Sequence, residues 1–223
     1  SGTLSPVQAV DLETGTVLWT ELPRVATNVI GATGDLFLIA GGDGTVFAST
    51  YELIALDSRT GDELWSIELA GRPVGLLVSN GRVFVLGSNN LLDAFDLETQ
   101  QPLWQLDLRE LDPSQTDFGG ANQSGDLTGD RITMTNGILG VIVSSGRLAA
   151  VDAADGTLQW ADERATEGWT RVKVVDGKFV VLAFGAEMNM YDPDATPFPT
   201  APHDPAVDPC TLTIQTRDGT IPE

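Results

Sequence analysis

His203 is the only histidine and Cys210 the only cysteine among 223 residues, so the side chains that most often serve as bases, nucleophiles and metal ligands are nearly missing. A single cysteine excludes an internal disulfide and any multi-cysteine metal site, leaving a free thiol or half of a bridge to another chain. His203 stands in Pro-His-Asp-Pro within a proline-rich stretch, where a solvated loop residue is expected rather than a base or ligand. No nucleophile elbow, P-loop or histidine-rich metal spacing is present. Carboxylates are plentiful, and Asp126 and Asp130 are spaced like ligands of an Asp-x-Asn-x-Asp calcium loop. Thr128 takes the middle position, however, and Arg131 stands where the turn glycine belongs, which argues against calcium.

The residues that do recur at fixed spacing are structural in type. The pattern Ala-x-Asp-x-x-Thr-Gly-x-x-x-Trp appears as Ala9, Asp11, Thr14, Gly15 and Trp19, and again as Ala55, Asp57, Thr60, Gly61 and Trp65. A third copy keeps Ala94, Asp96, Thr99 and Trp104 with Gln100 in the glycine position. A fourth keeps Ala150, Asp152, Gly156 and Trp160 with Asp155 in place of threonine, and a fifth retains only Asp192. The aspartates lie 46, 39, 56 and 40 residues apart, the length of four short strands with their turns. Each element has a mechanical use. The carboxylate accepts backbone N–H groups two or three residues ahead, glycine supplies positive φ, and tryptophan offers a flat surface to wedge against a neighbouring sheet beside the small alanine. Gln100 at a positive φ should cost on the order of 1 kcal/mol unless its turn changes type.

Alternating segments rich in β-branched and aromatic residues fill the space between copies, as in Arg82–Leu86 and Lys178–Leu182. Strands are expected at 73–79, 82–87, 91–96 and 102–107, and again at 131–135, 138–143, 147–152 and 158–162, with hairpin turns at Asn80-Gly81 and Asn136-Gly137. Val7–Asp11 reads as the third strand of a first unit lacking its opening two; 170–175, 178–184 and 188–192 supply three strands of a last unit, with Thr211–Gln215 a candidate fourth. The fold class is all-β, a propeller of four-stranded antiparallel blades. Blades occupy residues 1–192, a proline-rich linker or strap 193–209, and a short terminal strand and tail 210–223.

Four copies of the motif resemble the repeat of the pyrroloquinoline quinone (PQQ)-like β-propeller family. The resemblance implies a propeller of up to eight blades, so that further blades come from elsewhere in the same chain or from another. It also implies one of two functions, because the family divides between quinoprotein dehydrogenases and non-catalytic scaffolds such as the outer-membrane assembly lipoprotein. Many alcohol-oxidising members clamp the quinone between a tryptophan and a ring of two adjacent cysteines, beside Ca²⁺. No adjacent cysteines exist here, and every tryptophan but Trp169 belongs to a repeat. The leading reading is therefore a non-catalytic scaffold for protein–protein interaction with no cofactor. A fragment of a PQQ- and Ca²⁺-dependent dehydrogenase and a cation- or small-ligand-binding module are the alternatives.

The insertion that stretches the third spacing, Arg109–Asp130, is the expected partner-binding loop, with Asp112, Phe118, Asp126 and Asp130 as candidates and Trp169 outside the repeat as a fifth. A net charge of −20 disfavours nucleic acid and anionic membranes as partners. No apolar run reaches the ~20 residues of a membrane span, and the chain opens Ser1-Gly2 with no signal-peptide pattern, as a mature product or an excised segment would. An extracytoplasmic location, periplasmic or secreted, is expected, with the endoplasmic-reticulum lumen as the alternative. Trp65 and Trp104 are expected to be buried between adjacent blades, so that Trp65→Ala costs roughly 3–5 kcal/mol in an unfolding titration.

Overall fold

The structure is a computed structural model that describes residues 6–42, 50–111, 131–144, 146–162, 170–183, 188–191, 193 and 214–215. Its strands fall into successive small sheets. β1 (Val7–Val10) and β2 (Val17–Glu21) form a two-stranded sheet. β3 (Ala26–Thr33), β4 (Leu36–Gly42), β5 (Tyr51–Asp57) and β6 (Glu63–Leu69) form a four-stranded meander, as do β7 (Pro73–Ser79), β8 (Arg82–Gly87), β9 (Leu91–Asp96) and β10 (Pro102–Asp107). β11 (Ile132–Thr135), β12 (Ile138–Ile142), β13 (Leu148–Asp152) and β14 (Leu158–Ala161) repeat the arrangement. The last sheet joins β15 (Thr170–Val175), β16 (Lys178–Ala183), β17 (Met188–Tyr191) and β18 (Ile214–Gln215). These are the blades of an all-β propeller fold, and the only helical element among the described residues is one 3-10 turn at Arg109–Leu111.

β7 to β10 match the expected bounds residue for residue, while β11 to β14 are each trimmed by one residue at an end. One expectation is corrected. Among the described residues the fourth strand of the last sheet is Ile214–Gln215, the rest of the expected Thr211–Gln215 lying outside them, and it runs parallel to β17, pairing Met188 with Ile214, where an antiparallel blade was expected. Parallel pairing needs a crossover of a dozen or more residues, which the stretch between Tyr191 and Ile214 supplies and a tight hairpin does not.

Two turn chemistries punctuate the blades. Asn80-Gly81, Asn136-Gly137 and Asp176-Gly177 have positive φ at both centres, the type I′ geometry whose twist suits a two-residue hairpin. The motif turn is longer. Its glycine N–H returns to the aspartate carbonyl at 2.8 Å in Gly15 and Gly61 and 2.9 Å in Gly156. Gln100 makes the same bond at 2.9 Å with φ 58°, so this turn keeps its type and an L-residue bears the left-handed strain.

The chain forms two compact units, and among the described residues the first runs to Leu103 and the second starts at Trp104. In the first unit, successive residues of β4 and β5 are buried on opposite faces of one sheet. Leu38, Ala40, Leu53 and Ala55 pack against Leu76, Val83, Val85 and Phe95 of the next sheet. Ile39, Ile54 and Leu56 pack with Val7 and Trp19 of the two-stranded sheet. Two-sided burial explains why these strands are apolar without alternation, each buried Leu or Ile contributing about 1.5–3 kcal/mol. In the second unit, Ile142, Leu148, Ala150 and Trp160 meet Val172, Phe179 and Val181.

Trp160 is buried, at 8% exposure, whereas Trp65 and Trp104 are half-buried, which corrects the expectation that both are fully enclosed. They lie on outer strands whose neighbouring positions face water, so one edge of each indole stays wet. The full large-to-small cost of roughly 3–5 kcal/mol is therefore expected for Trp160→Ala in denaturant unfolding, and a smaller one for Trp65→Ala. A glycine pair isolates the docking contribution. A Cβ on Gly61 would stand 2.8 Å from the Trp19 ring, while one on Gly15 would meet nothing within 4 Å, and both residues have positive φ. Gly15→Ala is expected to cost about 1 kcal/mol and Gly61→Ala roughly 2–4 kcal/mol; equal costs would show that indole packing adds nothing.

Candidate functional site

Each motif aspartate organises its turn through one carboxylate oxygen. Asp11 Oδ1 accepts the N–H of Glu13 at 3.0 Å, the N–H of Thr14 at 2.7 Å and the Thr14 hydroxyl at 2.8 Å. Asp96 does the same with Glu98 and Thr99. Asp57 accepts from Arg59 and Thr60, and Asp152 accepts from Ala154. In the fourth copy Asp155 takes over the task of the missing threonine. Its carboxylate accepts the Thr157 N–H at 2.9 Å, where Thr14 and Thr60 hydroxyls accept from Thr16 and Asp62.

The residues after Asp57 and Asp152 each link three pieces of structure. Ser58 donates its N–H to Asp35 in the preceding hairpin turn and accepts the Trp19 Nε1–H at 2.9 Å on its carbonyl. Ala153 donates to Gly137 and accepts from Trp104 at 3.3 Å. The Pro193 carbonyl accepts from Trp160 at 3.0 Å, and Leu97 donates to Gly81 while packing in the cluster that holds Trp65. The Trp104 ring lies over Gly156 as Trp19 lies over Gly61. Asp11, Gly15, Trp19, Asp57, Gly61, Trp65, Asp96, Trp104, Asp152, Gly156 and Trp160 thus stand at turns and between sheets.

Asp112, Phe118, Asp126, Asp130 and Trp169, the candidates for partner recognition, lie outside the described residues. The flanks of their segments are described, and both meet one side chain that sequence reasoning missed. Arg147 donates from Nε to the Asp162 carbonyl at 2.7 Å and from Nη1 to the Leu111 carbonyl at 3.1 Å. A single arginine at the start of a strand carries no sequence signal for this, because its partners are carbonyls from connections on either side of its own sheet. Among the described residues no cluster of three or more His, Cys, Asp or Glu is placed to hold a metal ion, and no helix is long and apolar enough to cross a membrane.

Hydrogen bonds to charged oxygens depress several carboxyls. Backbone N–H groups of Thr14 and Thr99 lower Asp11 and Asp96, and Thr157 lowers Asp155. The Arg109 guanidinium, 2.9 Å from Asp107 Oδ1 through Nε, brings that carboxyl down to about 2. A carboxyl depressed in the folded state favours folding above its unfolded value near 3.9, and that contribution fades as pH falls toward 2. Both side chains are exposed, so the effect on stability is small and the titration itself is the readout. Arg109→Gln is expected to return the Asp107 midpoint toward 3.8 in a carboxyl-detected NMR titration, leaving Asp11 unmoved.

Comparison with known proteins agrees with this geometry. A dehydrogenase subunit of quinone-type alcohol dehydrogenase from Gluconacetobacter polyoxogenes is 30% identical over 125 residues, covering 45% of this chain and 17% of that protein. The crystal structure of BamB from Moraxella catarrhalis superposes with TM-score 0.58 and 21% identity, over 80% of this chain and 50% of that one. A europium-containing methanol dehydrogenase superposes with TM-score 0.56 and 18% identity, over 85% of this chain and 46% of that one. The chain therefore spans about half the length of these solved structures and a smaller part of the curated relative. Residues 5–181 match the family described as outer membrane protein assembly factor BamB, and the chain belongs to that family.

Proposed function

We propose that this chain is a non-catalytic β-propeller scaffold that mediates protein–protein interactions in an extracytoplasmic, cell-envelope assembly. The observation that carries the reading is the family match across residues 5–181, in blades whose tryptophans are engaged in holding sheets together. The family's description supports the envelope over an endoplasmic-reticulum lumen. In this reading residues 1–192 carry the blades, 193–209 form a linker or strap and 210–223 a tail. Partner recognition is assigned to Arg109–Asp130 and Trp169, with Arg147 holding the flanks that are described, Leu111 and Asp162.

The 30% identity to a quinone-dependent alcohol dehydrogenase subunit supports a second reading, part of a quinoprotein. The residues described fit the quinone poorly. The indole N–H groups of Trp19, Trp104 and Trp160 are each bound to a backbone carbonyl, and the chain has no adjacent cysteines to close a clamp. Titrating PQQ with Ca²⁺ into the purified protein, followed by a dye-linked alcohol oxidation assay, separates the two readings. The scaffold reading expects no saturable quinone binding and no turnover, together with poorer assembly of outer-membrane proteins when the gene is removed. Tight quinone binding with alcohol oxidation would overturn it.

A further inference from the structure

The outer strands of the sheets are edges, and the chain protects them unequally. β6 stands last in its sheet and pairs, among the described residues, with β5 alone. It is the longest outer strand described, at seven residues against five in β2, six in β10 and four in β14. Proteins blunt such an edge with lysine, proline or a cover, because its free N–H and C=O groups otherwise template a further strand. β10 opens on Pro102 and is followed by Arg109, whereas β6 holds no proline, lysine or arginine. Leu64 falls outside the ladder with β5, and beyond it Trp65–Leu69 runs as a regular edge.

Charge along this edge is unbalanced. Glu68 lies directly opposite Glu52 of β5, a like-charge pair that weakens a sheet. Arg24 answers Glu52 at 2.7 Å and also reaches Glu63, which leaves Glu68 exposed with no cation paired to it among the described residues. In the next repeat the equivalent acid is neutralised within the chain. Asp107 stands three residues past Trp104, as Glu68 stands three past Trp65, and Arg109 binds it at 2.9 Å where this sheet has Ala70. At the other end of β6 Leu64 is 51% exposed, and Ser66 between the two is exposed as well.

We propose that the outer edge of β6 is a strand-addition site for an extended segment of a partner protein, paired antiparallel, with a lysine or arginine opposite Glu68 and an apolar residue against Leu64. The open backbone groups of the edge supply affinity, and the two side chains set direction and register, the basic residue preceding the apolar one in the partner. The basic residue gives Glu68 the counter-charge that Asp107 has from Arg109. A second copy of this chain is a poor occupant, because its own edge brings acids without a base and each chain carries a net charge of −20. The inference rests on the scaffold reading and names the chemistry of the partner.

The test is a titration of the intact chain with the capped peptide Thr-Lys-Val-Thr-Val-Leu-Thr, read by amide NMR and hydrogen exchange. The expected result is saturable shifts and new exchange protection within Trp65–Leu69, with amides of the Asn136-Gly137 turn unmoved. Changing the peptide's lysine to glutamate, or Glu68→Lys in the chain, should each weaken binding roughly tenfold, and the two changes together should recover it. Glu13→Lys, which removes an exposed acid from the turn between β1 and β2, should alter binding by less than about twofold, since exposed charges act at short range in salt. Binding that ignores the charge swap, or that falls as much with Glu13→Lys, overturns the site. Protection of β6 without peptide, alongside a dimer in light scattering, overturns the proposed occupant in favour of a second copy. Failure of the peptide to bind, with no quinone binding either, sinks the strand-addition site and leaves the scaffold reading standing. Alcohol oxidation with bound quinone sinks the scaffold reading and this inference with it.

Discussion

An indole buried between two sheets has one polar atom, and its N–H must find an acceptor or forfeit the gain from burying the ring. In this chain the acceptor is the carbonyl of the residue following the motif aspartate. Ser58 and Ala153 also donate their own N–H to the first hairpin turn of the same sheet. One residue thereby fixes the neighbouring sheet through the tryptophan and the two turns of its own sheet through the backbone. At Gly61 and Gly156 the glycine that closes the motif turn serves twice, adopting positive φ without strain and leaving the ring the space in which a Cβ would collide with it.

Departures from the motif show which of these demands is stricter. Gln100 accepts the left-handed conformation and keeps the turn bond, so positive φ alone does not require glycine. Asp155 shows that the threonine position asks for an oxygen acceptor rather than for a hydroxyl. The aspartate is retained in all four full copies, as are the alanine and the tryptophan, and its carboxylate satisfies two or three donors at once in Asp11, Asp57 and Asp96.

The same packing bears on function. Trp19, Trp104 and Trp160, with their N–H groups bound to backbone carbonyls, are committed to holding sheets together rather than to stacking on a ligand. What varies between repeats lies in the connections. Arg147 ties the described flanks of two of them, Leu111 and Asp162, to one sheet.

Much of this was legible in the amino-acid order. The repeat, its strand lengths and the Asn-Gly and motif turns follow from local rules of φ, alternation and side-chain hydrogen bonding, which is why β7 to β10 fall where the residues place them. The all-β propeller class followed from repetition. Tertiary structure alone decided how deeply each tryptophan is covered, since that depends on the sheet beyond it, and separated Gly15 from Gly61 although the two sit in identical motifs. It alone set β18 parallel to β17 and brought Leu111 and Asp162 to one guanidinium, because both depend on residues far apart in the chain meeting in space. Spacing encodes a turn or a strand, which close within a few residues; it does not encode what stands on the other side of a sheet.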